Sequence, residues 1–336
     1  MKISILGAGT WGIALAALLV KNKQEVTVWS AIPSEIDDLI KTGVHKNLPD
    51  IILPNSIKYT KDIEKAAEVA EMIIFVVPSS FIRETAKKIL PFLKNGTIPV
   101  TAAKGIEGGS LKTMTEVIED EIRLGYPELK CTLAALSGPT HAEEVAATMP
   151  TSIVAACKIE DTALKIADVF KNSCMRVYTN NDVRGVEICG AMKNIIALAA
   201  GINNGMGLGD NSKAMLMTRG IAEITRLGLA IGCDRKTFMG LAGIGDLIVT
   251  CTSRHSRNNR CGELIGKGMS YEEAQKEIGM VVEGYHALEA AMELSQKYSV
   301  ELPITEAVYK VIKEGFSPKD AIHALMTRDL KSELSD

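Results

Sequence analysis

Lys2-Ile-Ser-Ile-Leu6 runs directly into Gly7-Ala-Gly9-Thr10-Trp11-Gly12, and Ile13-Ala-Leu-Ala-Ala-Leu-Leu-Val20 follows. The first segment has the apolar, β-branched character of a short strand, and the last has the small, unbroken apolar character of a packed helix. A polar break at Lys21-Asn22-Lys23 precedes a second strand pattern, Glu25-Val-Thr-Val-Trp29. Strand, G-x-G-x-x-G, helix and strand within about thirty residues is the context that a dinucleotide-binding turn requires. Gly7 makes the tight turn, Gly9 lets the backbone approach a pyrophosphate, and Gly12 lets the helix pack closely on the strand. The helix N-terminus adds free N–H groups and partial positive charge for the phosphates. Cofactor contacts are therefore expected at Gly7, Gly9 and Gly12.

The end of the second strand decides between NAD and NADP in such a fold. An acidic residue there meets the ribose hydroxyl, and an arginine meets a 2′-phosphate. Here Trp29-Ser30-Ala31-Ile32-Pro33 offers neither. Ser30 can bond a hydroxyl or a phosphate, so this position leaves the preference open. Further strands are expected at Met72–Val77, Ile98–Thr101, Thr132–Leu136, Thr151–Cys157 and Met175–Thr179. Met72-Ile-Ile-Phe-Val-Val77 is continuously apolar, as suits a parallel strand covered on both faces. Several of these strands end in loop chemistry, where ligands sit in open α/β sheets. Ala103-Lys104-Gly105 and Ser137-Gly138-Pro139-Thr140-His141-Ala142 are two such loops. Lys104 is well placed for a phosphate or a carbonyl oxygen, although a lone lysine before a turn glycine is ordinarily just solvated.

From about residue 184 the pattern becomes helical. Residues 186–200 are almost all apolar or small, with no proline, and the exceptions at the centre are Lys193 and Asn194. A helix apolar all round is a buried helix. A buried ammonium is costly unless it is paired or gives up its proton, so Lys193 is a candidate acid/base group. A structural ion pair or a snorkelling side chain is the plainer explanation. Asn203-Asn-Gly-Met-Gly-Leu-Gly-Asp210-Asn211 reads as a turn-rich loop. A helix is expected from about Ser212 to Leu227, capped by Asp210 or Asn211. Gly243-Ile-Gly-Asp246-Leu-Ile-Val-Thr250 offers Asp246 either as a helix cap or as a partner for the lysine. Arg254, Arg257 and Arg260, with interleaved serines and asparagines, stand at a loop-to-helix junction where guanidinium forks can grip one phosphate. Glu283, after Gly279-Met-Val281-Val, is a second candidate cofactor contact. The tail from Ala287 reads as amphipathic helices, whose apolar faces suit a homodimer or packing within the chain equally well.

The chain has 336 residues, 46% hydrophobic and 24% charged, with a net charge of -3. That length suits two domains, expected at residues 1–183 and 184–336. The absence of a basic surplus argues against a nucleic-acid partner. Seven cysteines, none in a CxxC pair, argue against a disulfide scaffold or a metal site and for a reducing compartment. With no signal-peptide pattern and no apolar stretch approaching membrane-spanning length, a cytoplasmic location with no integral membrane segment is expected. The fold class is α/β: an N-terminal Rossmann-type dinucleotide-binding domain plus an all-helical C-terminal domain.

Taken together, seven motifs fall in the order and spacing of one family. They are Gly7-Ala-Gly-Thr-Trp-Gly12, Ala103-Lys-Gly-Ile106, Leu136-Ser-Gly-Pro-Thr-His-Ala-Glu-Glu144, Gly190-Ala-Met-Lys-Asn194, Gly209-Asp-Asn211, Gly243-Ile-Gly-Asp-Leu247 and Ser256-Arg-Asn258. The chain resembles bacterial NAD(P)-dependent glycerol-3-phosphate dehydrogenase from residue 1 to about residue 330. The resemblance implies an active site in the cleft between a dinucleotide domain and a helical domain. It implies reduction of dihydroxyacetone phosphate to sn-glycerol 3-phosphate, which feeds phospholipid synthesis. It makes Lys193 the general acid/base, and it places Lys104, Gly138, Thr140, Asp246, Ser256, Arg257 and Asn258 along the substrate. Thr10, Trp11, Lys104, Ala142, Arg257, Val281 and Glu283 would touch the cofactor. Members often carry an arginine or histidine just after the second strand, where this chain has Ala31 and Ile32.

The implied mechanism sends a hydride to the C2 carbonyl carbon while Lys193 donates a proton to the carbonyl oxygen. Asp246 holds the lysine, Thr250 adds a hydrogen bond from the same turn, and Asn194 orients the substrate hydroxyl. Two other functions fit parts of the pattern. One is a 3-hydroxyacid-type dehydrogenase, whose carboxylate an arginine binds as readily as a phosphate. The other is a nucleotide-sensing protein without turnover.

Overall fold

The computed structural model describes residues 1–68, 70–330 and 332–333. Residues 331 and 334–336, at the end of the expected second domain, lie outside the described residues. The chain divides into two compact units. The first comprises residues 1–104 and 112–183, and the second takes the remainder from Arg184 together with Gly105–Leu111. Residues 105–111, expected in the first domain, thus pack with the second, where Ile106 joins the apolar core.

The first unit is built on an eight-stranded sheet. Its strands are β1 (Lys2–Leu6), β2 (Glu25–Trp29), β3 (Lys58–Thr60), β4 (Met72–Phe75), β5 (Ile98–Thr101), β6 (Ala134–Ser137), β7 (Thr151–Cys157) and β8 (Met175–Asn180). They lie in the order β3-β2-β1-β4-β5-β6-β7-β8, and only β6 and β7 pair antiparallel. From β1 the chain winds outward to β3, then returns to place β4 on the other side of β1. That reversal opens a crevice beyond the carboxyl ends of β1 and β4, where open α/β sheets receive ligands. The two-residue alternation of strand side chains decides what covers each face. Ile3, Ile5, Met72 and Ile74 pack with Ile13, Leu15 and Leu19 of the Thr10–Lys21 helix. Leu6, Ile73 and Phe75 pack instead with Ile82, Ala86, Met114 and Val117.

Several local expectations need correction. β3 has no sequence signal, because Lys58-Tyr-Thr60 is a three-residue edge strand that is exposed or half-buried and has no apolar run. β4 ends at Phe75 rather than Val77, where the chain turns towards Pro78. β6 begins at Ala134 rather than Thr132, because only from Ala134 are its side chains buried.

The second unit is organised around the Val183–Gly205 helix. Every residue from 186 to 203 is buried. This helix is long and apolar enough to cross a membrane, so the expectation that no stretch approaches that length fails. Its apolar window lies wholly inside the fold, where such a segment is a core helix. The next helix runs Asp210–Ala230, and Gly209 occupies its cap position. Asp210 and Asn211, expected as caps, lie inside the first turn.

Glycines set how closely the helices cross. A Cβ on Gly201 would lie 2.0 Å from the Asn259 carbonyl oxygen, and one on Gly262 would lie 2.2 Å from that of Leu198. Gly205 and Gly266 repeat the contact one turn on, against Glu263 and Ile202. The Val183–Gly205 and Arg257–Gly266 helices therefore touch backbone to backbone, with dispersion contacts that any side chain would break.

Further out, Glu223 is buried and its carboxyl accepts from the amides of Ile304 and Thr305 and from the Thr305 hydroxyl. It thereby caps the Pro303–Lys313 helix from across the unit. Burial outweighs those donors and pushes its pKa up from 4.5 to about 7.

Gly262→Ala should destabilise the protein by about 1–3 kcal/mol, because neither backbone can yield. Gly125→Ala, at a helix end where a Cβ meets nothing within 4 Å, should be neutral or slightly stabilising. Denaturant unfolding of the two variants checks this. Between about pH 4.5 and 7 the folded protein holds the Glu223 proton and the unfolded chain does not. Its contribution therefore falls as pH rises through that window, and Glu223→Gln should flatten that slope in thermal unfolding followed against pH.

Candidate active site

In the first unit the site begins at the turn after β1. The Gly7 amide donates to the Trp29 carbonyl at 2.8 Å, tying the turn to the end of β2. Gly7 has φ +124°, and a Cβ there would press on the Val76–Val77 backbone beyond β4. A Cβ on Gly12 would lie 2.1 Å from the Gly7 carbonyl oxygen, so only glycine lets the helix start this close to the strand. Beside Gly9 the space is open, with no protein atom within 4 Å of a Cβ position. Gly9 stands at the cap position of the Thr10–Lys21 helix and supplies no capping side chain. A tight turn, an open approach and an uncapped helix N-terminus together fit a dinucleotide pyrophosphate.

Side chains complete this cradle, some of them unforeseen. The Asn47 amide donates to Thr10 Oγ1 at 2.9 Å, and the Asn47 backbone N–H donates to His45 Nδ1 at 3.1 Å. His45 is buried, and burial holds its pKa below the usual 6.5. The chain around these residues, Gly43-Val-His-Lys-Asn47, is turn-like and carries no motif, so the sequence offers no signal for them. Trp11 is half-buried against the core. Ser30, expected to face a ribose hydroxyl or phosphate, is 4% exposed and donates to Glu35 Oε2 at 2.6 Å. The hydroxyl is engaged within the protein, and the group it holds is a carboxylate.

At the ends of β5 and β6, three predicted residues come together. Lys104 Nζ donates to the Gly138 carbonyl at 3.3 Å, and Thr140 Oγ1 donates to the same oxygen at 3.2 Å. Gly138 has φ +150°, and a Cβ there would lie 3.2 Å from the Ile153 Cα, so the turn requires glycine. Ala142 opens the short helix that follows.

In the second unit, Lys193 is 5% exposed and Asp246 is 1% exposed. Lys193 Nζ lies 2.5 Å from Asp246 Oδ1 and 2.6 Å from Thr250 Oγ1. A π-helical turn, Leu241–Gly245, leads into the Asp246–Thr252 helix. Asp246 and Thr250 are four residues apart, so they share the helix face turned to the lysine. The Thr250 hydroxyl donates to the Asp246 carbonyl at 2.6 Å. Asp246 is thus an ion-pair partner rather than a cap. Desolvation favours a neutral amine here, whereas the adjacent carboxylate favours the ammonium. Cys251 lies alongside, and burial pushes its thiol up to about 12. It stays protonated and adds no competing charge.

The next residue, Asn194, begins a chain of amides. Its Nδ2 donates to the Gly190 carbonyl, and its Oδ1 accepts from Asn258 Nδ2 at 3.0 Å. Asn258 Oδ1 accepts in turn from the Gly284 amide at 2.9 Å. This chain fixes the start of the Glu283–Tyr298 helix, where the half-buried Val281 and Glu283 lie. The buried Ser256 caps the Arg257–Gly266 helix, its Oγ accepting from the Asn259 amide at 3.2 Å. Arg257, the first residue of that helix, is exposed. Arg254 and Arg260, grouped with it from the sequence, are also exposed.

The arrangement can bind a dinucleotide on the first unit and hold a proton at Lys193 Nζ in the second. The NAD-dependent glycerol-3-phosphate dehydrogenase N-terminal model matches residues 2–163, and the C-terminal model matches residues 182–323. A glycerol-3-phosphate dehydrogenase of Lactobacillus delbrueckii subsp. bulgaricus, named for NAD(P)+, is 54% identical over 334 residues, 99% of each chain. One from a Thermoanaerobacter species is 47% identical over 99% of each chain. The crystal structure of a Coxiella burnetii glycerol-3-phosphate dehydrogenase superposes with a TM-score of 0.92 at 36% identity, covering 97% of this chain and 99% of that one. A Ralstonia eutropha ketopantoate reductase, at 16% identity and TM-score 0.61, shares the fold alone. With both halves matched and relatives aligned end to end, the chain belongs to the NAD-dependent glycerol-3-phosphate dehydrogenase family.

Proposed function

We propose that this chain reduces dihydroxyacetone phosphate to sn-glycerol 3-phosphate with NADH or NADPH, supplying the backbone for glycerophospholipids. The observation that carries the reading is Lys193 Nζ, buried and held between Asp246 and Thr250 in a chain of this family. A bound reduced nicotinamide supplies the hydride to the C2 carbonyl carbon.

Lys193 stabilises the negative charge that grows on the carbonyl oxygen and gives that oxygen its proton. In the reverse direction the same nitrogen accepts the hydroxyl proton. Asp246 keeps the amine charged and aimed, and the Thr250 hydroxyl, its own proton on the Asp246 carbonyl, accepts a second hydrogen bond from the amine. Asn194, braced by Asn258, orients the substrate hydroxyl. Arg257 binds the phosphate as an exposed guanidinium at a helix start, with Ser256 beside it. Phosphate binding there positions the carbonyl, so remote binding energy serves the chemical step. Lys104, Gly138 and Thr140 line the substrate, and Lys104 reaches the cofactor as well. Thr10, Trp11 and Ala142 contact the cofactor beside the glycine turn, and Arg257, Val281 and Glu283 are the further cofactor contacts of this reading.

A cytoplasmic location and a homodimer belong to the same reading. All seven cysteines are free thiols, which suits a reducing compartment. The C-terminal helices leave Phe316 and Met326 half or more exposed, an apolar surface for a second copy.

Absorbance assays with dihydroxyacetone phosphate and with unphosphorylated dihydroxyacetone test the substrate. Turnover should require the phosphate, and equal turnover of the two compounds would sink the proposal. Lys193→Ala should lower kcat by about 10²–10⁴-fold while NADH still binds, since the glycine turn is untouched. A variant that keeps most of its kcat would end the acid/base assignment. Arg257→Ala should raise KM about tenfold or more, the loss expected for a charge-assisted anion contact. An unchanged KM would remove Arg257 from the phosphate site.

A further inference from the structure

We infer that Glu35 makes this chain prefer NADH to NADPH, by standing as a carboxylate where the adenosine ribose is met. The inference rests on the dehydrogenase reading above and deepens it. The end of β2 is where a dinucleotide fold distinguishes a ribose hydroxyl from a 2′-phosphate. Residues 30–33 carry no charge, but the structure delivers one from further along the chain.

Ser30 is the positioning residue. It directly follows β2, whose last carbonyl, on Trp29, is bonded to the Gly7 amide of the glycine turn. The buried Ser30 hydroxyl accepts from the Ile32 amide at 3.1 Å and donates to Glu35 Oε2 at 2.6 Å. These two bonds fold residues 30–35 into a turn and the start of the Pro33–Thr42 helix, and they bring the carboxylate back onto the strand end. Glu35 is half-buried, and its Oε1 has no hydrogen-bond partner among the described residues. A ribose hydroxyl can donate to such an oxygen.

The surrounding charge favours the same choice. No lysine or arginine occurs between residues 24 and 40. Lys61, on the loop after β3, is bound by Asp37 at 2.6 Å. His45 interacts with Glu35, but burial lowers its pKa from the usual 6.5, which disfavours the cation that a phosphate would need. Lys46, which interacts with His45, is exposed, where solvent screens its charge. A 2′-phosphate dianion would therefore face a fixed carboxylate with no lysine or arginine between residues 24 and 40 to offset it. A ribose hydroxyl would instead form a charge-assisted hydrogen bond.

The test is calorimetric titration of the full-length protein with NADH and with NADPH, together with kcat/KM for each. Wild-type protein should bind NADH about tenfold or more tightly than NADPH, the discrimination expected when a charge-assisted hydrogen bond is replaced by a repulsion. Glu35→Gln should tighten NADPH binding and bring the two affinities towards equality. Ser30→Ala, which leaves the carboxylate in place but unheld, should lower the ratio in the same direction by less. Tight NADPH binding to the wild-type protein, or a ratio unchanged in E35Q, would overturn the inference and leave the dehydrogenase reading standing. Binding of neither nucleotide would overturn both.

Discussion

A primary amine at the centre of a helix buried all round constrains everything near it in the second unit. Leaving an ammonium unpaired in such a place costs several kcal/mol, and removing one partner of a buried pair costs about 3–5 kcal/mol. The chain answers with Asp246 at 2.5 Å and Thr250 at 2.6 Å. Neither residue would reach Lys193 from an ordinary loop. The π-helical turn at Leu241–Gly245 sets where the next helix begins, and thereby which face it turns to the lysine. One extra residue per turn is locally unfavourable, and turns of this kind recur at functional sites. The pair stabilises the fold weakly, if at all, relative to an apolar core of the same volume. Its value lies in a proton held at a fixed point.

The glycine crossing serves the same end by a different force. Because the Val183–Gly205 and Arg257–Gly266 helices touch backbone to backbone, the start of the second lies within reach of the middle of the first. Asn258 can then bond Asn194 directly, and through the Gly284 amide it fixes a third helix. A bulkier residue at Gly201 or Gly262 would separate the helices by more than an amide hydrogen bond can stretch. Packing distance is thus converted into the position of polar groups. Side chains that read from the sequence as substrate contacts also act as braces. Ser256 caps a helix, and Asn258 links two others.

Much of this is legible in the sequence because it rests on local pattern. The G-x-G-x-x-G turn lies between strand and helix, so its physics is contained in a dozen residues. Lys193 stands out because nearly every neighbour in its helix is apolar or small. What the sequence hides is side-chain contact made where the chain folds back without a repeating pattern. Asn47 reaches Thr10, and Glu35 reaches Ser30, through folds of the chain that no periodicity announces. β3 is invisible because an edge strand of three residues needs no apolar run. The cap of the Asp210–Ala230 helix misleads because Gly209 can occupy that position without a side chain, while Asp210 and Asn211 advertise themselves by type. The strand order and the antiparallel turn from β6 to β7 are properties of the whole sheet.

A hydroxyl stands beside a carboxylate in both units, with a different role in each. In the first unit a buried serine hydroxyl donates to Glu35, and in the second Thr250 lies 3.3 Å from the Asp246 oxygen that meets the lysine. The Ser30 hydroxyl, tied to the Ile32 amide, holds its carboxylate directly, whereas the Thr250 proton goes to the Asp246 carbonyl and its oxygen accepts from the amine that the carboxylate pairs. A carboxylate on a free side chain can rotate away from its partner and is screened by water. Held by a hydroxyl, it is a fixed charge that needs no reorganisation when its partner changes state. In the acid/base role proposed for Lys193, the changing partner is an amine that takes up and releases a proton. At Glu35 it is the group at the strand end, whether a hydroxyl or a phosphate. The cofactor preference inferred for Glu35 therefore depends on how well a short hydroxyl side chain restrains a longer acidic one.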